Sequence, residues 1–156
     1  MAPVGDVLWW AGRTPCVSLT ALPARADVAI VGGGYTGLAA ARALAWSGAS
    51  VVVLERETVG AGASGRNGGM VLPGYKAELS DLLRRHGPVV ARRLFEDSLE
   101  AITFVESLIR EETIACDWLK SGHVTLAARP EHMKGLDEAR QLLAREFGYQ
   151  TELLVV

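Results

Sequence analysis

The sequence predicts an α/β fold, and three observations predict it. A short β-branched run at residues 27–31 leads directly into a run of glycines. An alanine- and leucine-rich stretch, residues 35–47, follows, and Gly48 closes it. A second apolar run, residues 51–54, comes next and ends on an acid, Glu55. Strand, helix and strand fit within about 30 residues, the span of one βαβ unit with parallel strands.

Each element has its own local reason. Residues 1–26 carry Pro3, Pro15 and Pro23 and predict an irregular lead-in. Residues 27–31, after Asp27, and residues 51–54 are short apolar runs, as buried parallel strands are. Residues 35–47 hold strong helix formers between two glycine signals. Residues 59–74 are glycine-rich, but Met70, Val71 and Leu72 give them apolar surface to bury, which predicts a structured loop. From Lys76 the period becomes helical. Leu79, Leu82 and Leu83 share one side of a short helix over 76–86, and Gly87-Pro88 breaks it. Residues 88–113 predict a long helix whose apolar stripe is Ala91, Leu94, Phe95, Leu99, Ile102, Val105 and Ile109. Residues 117–127 read as a strand, 130–147 as a helix stopped by Gly148, and 151–156 as a strand. The resulting division is a lead-in at 1–26, a first part of a cofactor domain at 27–75, and helices opening an α+β substrate domain at 76–156. The sequence stops inside an apolar run, which predicts the N-terminal portion of a longer protein.

Composition narrows the function. The chain has 156 residues, 49% hydrophobic and 22% charged, with a net charge of −2. Such a balance offers no basic surface for nucleic acid. No apolar run reaches the ~18 residues of a membrane span. The first residues lack the basic start and apolar core of a secretory signal. Cys16 and Cys116 stand far apart, so a reduced, cytoplasmic chain is the simple expectation. Neither cysteine has the setting of a nucleophile. His86, His123 and His132 are scattered, and no metal site is expected. The arginines at 84–85 and 92–93 are followed by Glu96, Asp97 and Glu100, the pattern of a solvated helix face. Trp9, Trp10 and Trp118 read as packing residues.

The chemistry lies in the glycines. Gly32, Gly34 and Gly37 fit G-x-G-x-x-G between a strand and a helix. The first allows the turn, the second lets backbone approach a pyrophosphate, and the third lets the helix pack against the strand. The helix that follows aims its unpaired N–H groups and its dipole at the phosphates. Tyr35 and Thr36 sit at its mouth, and Ala41 continues the small-residue face one turn after Gly37. Glu55 lies 21 residues after Gly34, near the spacing at which an acid accepts ribose hydroxyls. A phosphate loop of the Gly-Lys-Ser/Thr type is excluded, because no such lysine follows. The three-layer, Rossmann-like dinucleotide-binding fold is therefore the expected architecture. The motif alone leaves NAD(P) and FAD open. The loop at 60–69, "GAGASGRNGG", offers bare backbone N–H groups with Ser64, Arg66 and Asn67, enough to wrap the far side of a long cofactor.

Residues 26–70, "ADVAIVGGGYTGLAAARALAWSGASVVVLERETVGAGASGRNGGM", closely resemble the flavin-binding segment of the FAD-dependent oxidoreductases of the D-amino acid oxidase superfamily. The "GASGRNGG" form is most similar to the gamma-glutamylputrescine oxidase and glycine/sarcosine oxidase branch. The aromatic lead-in "LWW" and the later "ACDWLKSGHVTLAARPEHMKGL" extend the likeness toward Val156. The resemblance implies FAD as cofactor and an amine or amino acid as substrate. It further implies oxidation at the C–N bond, with hydride passing to flavin N5 and oxygen as acceptor. It places Gly32, Gly34 and Gly37 at the pyrophosphate, Glu55 at the ribose and Arg56 near the adenine. It places Ser64, Arg66, Asn67, Gly68 and Gly69 along the pyrophosphate, ribityl chain and flavin ring. It names no catalytic residue here, and without a histidine at 60–74 it implies no histidyl–flavin bond. Two alternatives stand beside it: a dinucleotide-binding module without oxidase chemistry, and a non-catalytic fragment.

Overall fold

Val28, Ile30 and Val31 favour extended backbone, and Val28–Val31 forms strand β1 in the computed structural model, which describes Val7 and residues 21–154. Val51–Leu54 forms β2, parallel to β1, with Val28 opposite Val51 and Val31 opposite Leu54. Gly32 extends the pairing by one step, its N–H donating to Leu54 O at 2.8 Å. Helix α1, Tyr35–Trp46, carries the chain from one strand to the other.

The close of α1 is set by local chemistry. Gly48 has φ +92, its N–H reaches Ala45 O, and the Ala49 N–H reaches Leu44 O at 3.1 Å. This crossed pair satisfies two of the last carbonyls and turns the chain sharply toward β2. The side of β1 that carries Val28 and Ile30 is half-buried, while Ala29 and Val31 are exposed. Within the described residues, then, this unit is one sheet covered on one side by one helix.

A second compact unit begins at Val71, after a first that ends at Met70. Its main element is α2, Leu79–Glu111, which is interrupted at Gly87 (φ +75, ψ 168). Pro88 follows and brings no N–H to the helix ladder, so two helices meet end to end as the Gly-Pro pair predicts. Leu82, Ala91 and Phe95 are buried, and Leu94, Leu99, Ile102, Val105 and Ile109 are half-buried, the stripe expected from their spacing. Helix α3, His132–Phe147, ends at Gly148 in the left-handed region. That turn delivers Phe147 and Tyr149 to Phe95, at ring-centroid distances of 5.1 and 5.4 Å. Burial of a phenylalanine side chain is worth about 1.5–3 kcal/mol, and the edge contacts add to it.

Two expected strands are absent from the described residues. Residues 117–127 form no strand, and Val124 and Leu126 are exposed. A strand exists only through a ladder to a neighbour, and no described segment pairs with this one. Residues 151–154 are likewise irregular. Val155 and Val156 lie outside the described residues, as do Pro3, Trp9, Trp10, Pro15 and Cys16.

Candidate cofactor site

The site lies where β1 and β2 end. Gly32 leaves the sheet with φ +105, a conformation open to glycine and costly for other residues. A Cβ on Gly37 would stand 2.0 Å from Gly32 O and 3.3 Å from Ile30 Cγ2, so only a bare Cα lets α1 start this close to the turn. A Cβ on Gly34 would stand 2.9 Å from Ser64 Oγ, and little else is near it. Both glycines thus serve close approach, one between helix and strand, the other at the helix mouth.

Glu55 reaches back across the turn. Its Oε2 accepts the Gly33 N–H at 2.7 Å, and its Oε1 accepts the Glu57 N–H at 3.0 Å. The Glu57 and then the Gly33 N–H hold the Glu55 carboxyl below the ordinary carboxylate range, so it is ionised near neutrality. An ionised carboxylate has about four acceptor positions, and these two bonds leave others for hydroxyl donors.

The loop after β2 folds onto the same turn. The Gly60 N–H donates to Gly33 O at 3.0 Å. A single 3-10 turn, Ala63–Gly65, then brings Ser64 Oγ to the first N–H of α1, that of Tyr35, at 3.0 Å. Between Gly34, Glu55, Arg56 and the loop residues from Gly60 to Ser64 lies a cleft of about 440 Å³ that also touches Arg66. Small residues, Gly34 and 60–63, line it beside the polar side chains of Glu55, Glu57, Ser64 and the two arginines.

The residues proposed from sequence therefore fall into two groups. Gly32, Gly34, Gly37, Tyr35, Glu55 and Ser64 meet around one turn. Thr36 is exposed in the first turn of α1. Arg56 borders the cleft with an exposed side chain that pairs with Glu57 at 2.8 Å. Arg66 and Asn67 bond to carbonyls of their own loop, Ala61 O and Ser64 O respectively, each at 2.8 Å. Gly68 and Gly69 come after the turn, and the Gly69 N–H donates to Asn67 Oδ1. Two residues escaped the sequence reading. Gly33 is buried and joins Glu55 to Gly60, and its only signal was its place inside three consecutive glycines. Gly60, with φ +79, marks the turn into the loop.

The arrangement suits a nucleotide diphosphate. The Ser64 hydroxyl already sits at the helix mouth, on the first N–H of α1. Glycine leaves the backbone bare there, and the ionised Glu55 stands across the turn with acceptor positions open for hydroxyl donors. Among the described residues no cluster of His, Cys, Asp or Glu could hold a metal ion.

Comparison with known proteins shows the family. Residues 27–155 match the family described as FAD dependent oxidoreductase. The chain belongs to that family. FAD is accordingly its cofactor. The chain is 40% identical over 125 residues to a probable oxidoreductase, OrdL, of Haemophilus influenzae, covering 80% of this chain and 29% of that protein. It is 37% identical over 128 residues to the gamma-glutamylputrescine oxidoreductase of Escherichia coli, covering 82% and 30%. A shorter match, 40% over 95 residues, joins it to a probable oxidoreductase OrdL of Rhizobium meliloti, covering 61% of the chain and 22% of that protein. No solved structure matches. The FAD-dependent chain thus spans under a third of each of these relatives. No helix among its described residues is long and apolar enough to cross a membrane.

Proposed function

We propose that this chain holds the ADP side of FAD in an enzyme that oxidises the C–N bond of a small amine or amino acid. The observation behind the reading is the convergence of the glycine turn, Glu55 and Ser64 on one cleft. In this reading the α1 N-terminus and the Ser64 hydroxyl bind the diphosphate, and Glu55 accepts the adenosine ribose hydroxyls. Arg56 lies along the adenine, and the loop of Arg66, Asn67, Gly68 and Gly69 leads toward the ribityl chain. FAD supplies the hydride acceptor at N5, with oxygen as the final acceptor. The protein's share is to fix the cofactor's position and to exclude water around it. The amine substrate is supported by the name of the gamma-glutamylputrescine oxidoreductase relative and by the family. The same reading sets the strand pair in a three-layer, Rossmann-like domain of a cytoplasmic protein, with 27–75 as its first part and 76–156 leading into a substrate domain.

The test is titration of the chain with FAD, followed by flavin fluorescence, beside NAD as control. Saturable FAD binding that Gly34→Val removes, with far-UV circular dichroism unchanged, is the expected result. Binding that survives Gly34→Val overturns the phosphate assignment. For the activity, the protein is assayed against a panel of amines for peroxide release. A yellow protein that turns over none of them overturns the amine reading and leaves the cofactor site intact.

A further inference from the structure

The loop that presents Ser64 is too short to hold itself. Its 3-10 turn spans three residues and is closed by long bonds, Gly65 N–H to Gly62 O at 3.3 Å and Arg66 N–H to Ala63 O at 3.2 Å. A single turn of this kind has little stability of its own. Yet Ser64 Oγ stands at hydrogen-bond distance from the Tyr35 N–H, a residue 29 positions earlier. Something must fix the turn, and Asn67 is placed to do it. Its Nδ2 donates to Ser64 O at 2.8 Å and to Ala63 O at 3.4 Å, and its Oδ1 accepts the Gly69 N–H at 2.8 Å. One amide thus ties the turn to the glycines that follow it. Arg66 supports the same loop from its other end through Ala61 O.

We propose that Asn67 is a positioning residue: its carboxamide sets the Ala63–Gly65 turn so that the Ser64 hydroxyl meets the mouth of α1, and it acts on cofactor affinity through Ser64. This inference rests on the reading of Ser64 as a residue at the diphosphate. It assigns Asn67 a different role from the one its polar side chain in a cofactor loop suggests, that of a direct ligand. The two roles differ in a measurable way. A direct ligand loses its own bond when removed, whatever residue 64 is. A positioning residue has nothing left to contribute once the Ser64 hydroxyl is gone, so the two substitutions fail to add.

The experiment compares the full chain with Ser64→Ala, Asn67→Ala, Asn67→Asp and the Ser64→Ala/Asn67→Ala double variant. Asn67→Asp keeps the acceptor for Gly69 and the side-chain size, and replaces the donor to Ser64 O and Ala63 O with a charged oxygen that cannot donate. The first readout needs no cofactor: amide hydrogen exchange at Tyr35, with the Leu38 amide, bonded to Gly34 O at 2.9 Å, as reference for an intact helix. Asn67→Asp and Asn67→Ala are expected to speed Tyr35 exchange roughly tenfold, to the level of Ser64→Ala, as loss of one hydrogen bond would. The double variant is expected to go no further, and Leu38 to stay protected. The second readout is FAD affinity, where the double variant is expected to match the weaker single variant. Tyr35 exchange that ignores Asn67→Asp, or FAD losses that multiply in the double variant, overturns the positioning role. Unchanged FAD affinity in Ser64→Ala overturns instead the underlying reading of Ser64, and the affinity part of the inference with it.

Discussion

The two ends of the β1–β2 pair use the same chemistry for different purposes. At the end where the strands begin, Asp27 Oδ2 accepts both the Ser50 N–H at 2.9 Å and the Ser50 hydroxyl at 2.7 Å. The Asp27 N–H in turn donates to Ser50 Oγ and Ser50 O. At the end where the strands finish, Glu55 accepts the N–H groups of Gly33 and Glu57. Each carboxylate sits next to the end of one strand and accepts from backbone beside the other, Ser50 for Asp27 and Gly33 for Glu55. Hydrogen bonds hold both below the ordinary carboxylate range: those of Ser50, side chain first, for Asp27, and those of Glu57 and then Gly33 for Glu55. The difference lies in the neighbours. The Asp27 latch closes on a serine that answers it atom for atom. The Glu55 latch closes on the backbone of Gly33 and Glu57, borders a cleft and keeps acceptor positions open. In the proposed reading, those open acceptors and the bare glycine backbone beside them make the second latch a binding group.

The strongest way to break this comparison is to fill one of those empty positions. Gly37→Ala places a methyl 2.0 Å from a backbone oxygen, which cannot move without lifting α1 off the turn. The expected result is a loss of about 3 kcal/mol or more in denaturant unfolding, with FAD binding lost as well. An unchanged midpoint would show that helix and turn are not in contact. Gly34→Ala is milder. Its methyl meets only the Ser64 hydroxyl at 2.9 Å, a side chain that can turn away. Stability is expected to change by less than about 1 kcal/mol while FAD affinity falls at least roughly tenfold. Equal losses in both measurements would mean that Gly34 supports the fold and not the ligand.

Glu55→Gln comes next and separates latch from receptor. The glutamine keeps one acceptor and sets an NH2 against a backbone donor, either Gly33 or Glu57. A roughly tenfold loss of FAD affinity is expected, the scale of a charge-assisted hydrogen bond. The pH dependence has a definite sign. The folded pKa of Glu55 lies below its ordinary 4.5, so its contribution is present above that pH and is lost as pH falls through the lower folded value. FAD affinity of the unaltered chain should therefore hold steady above pH 4.5 and weaken below it, and the weakening should be smaller in Glu55→Gln. Equal acid sensitivity in both would place the titrating group elsewhere.

How much of this was legible before the fold was seen depends on how local each signal is. The strand pair, α1 and the turn at Gly32 follow from short-range patterns: β-branched runs, an alanine-rich helix, and glycines where backbone must turn or approach. The break at Gly87-Pro88 and the buried Ala91 and Phe95 follow in the same way. The unformed strand at 117–127 shows the limit, since an apolar β-branched run states a preference and a ladder needs a partner. Arg66 and Asn67 show another. Their polar side chains in a glycine-rich loop suggest ligands, and nothing in the sequence foretells the bonds that both make to carbonyls a few residues away. The Asp27–Ser50 latch left no sequence signal, because its partners are 23 positions apart and meet only when β2 pairs with β1.

That latch gives the smallest expected effect and the sharpest control. Asp27 and Ser50 are set at the far end of the strands from the cleft, so Asp27→Asn or Ser50→Ala should lower Tm by a few degrees and leave FAD affinity unchanged. An asparagine in place of Asp27 retains one acceptor for two donors, whereas an alanine in place of Ser50 removes the hydroxyl that serves both directions. The double variant should lose less than the two single losses together, because each substitution already opens the latch. Acid acts on it with the same sign as on Glu55. The folded pKa of Asp27 lies below 3.8, so its stabilisation is complete above that value and is lost as pH falls through the lower folded pKa. The unaltered chain should thus lose part of its Tm advantage over Asp27→Asn below pH 3.8. A fall in FAD affinity with either variant would mean that the register set at the closed end is transmitted along the four residues of β1 to the glycine turn, and the two ends would then be one device.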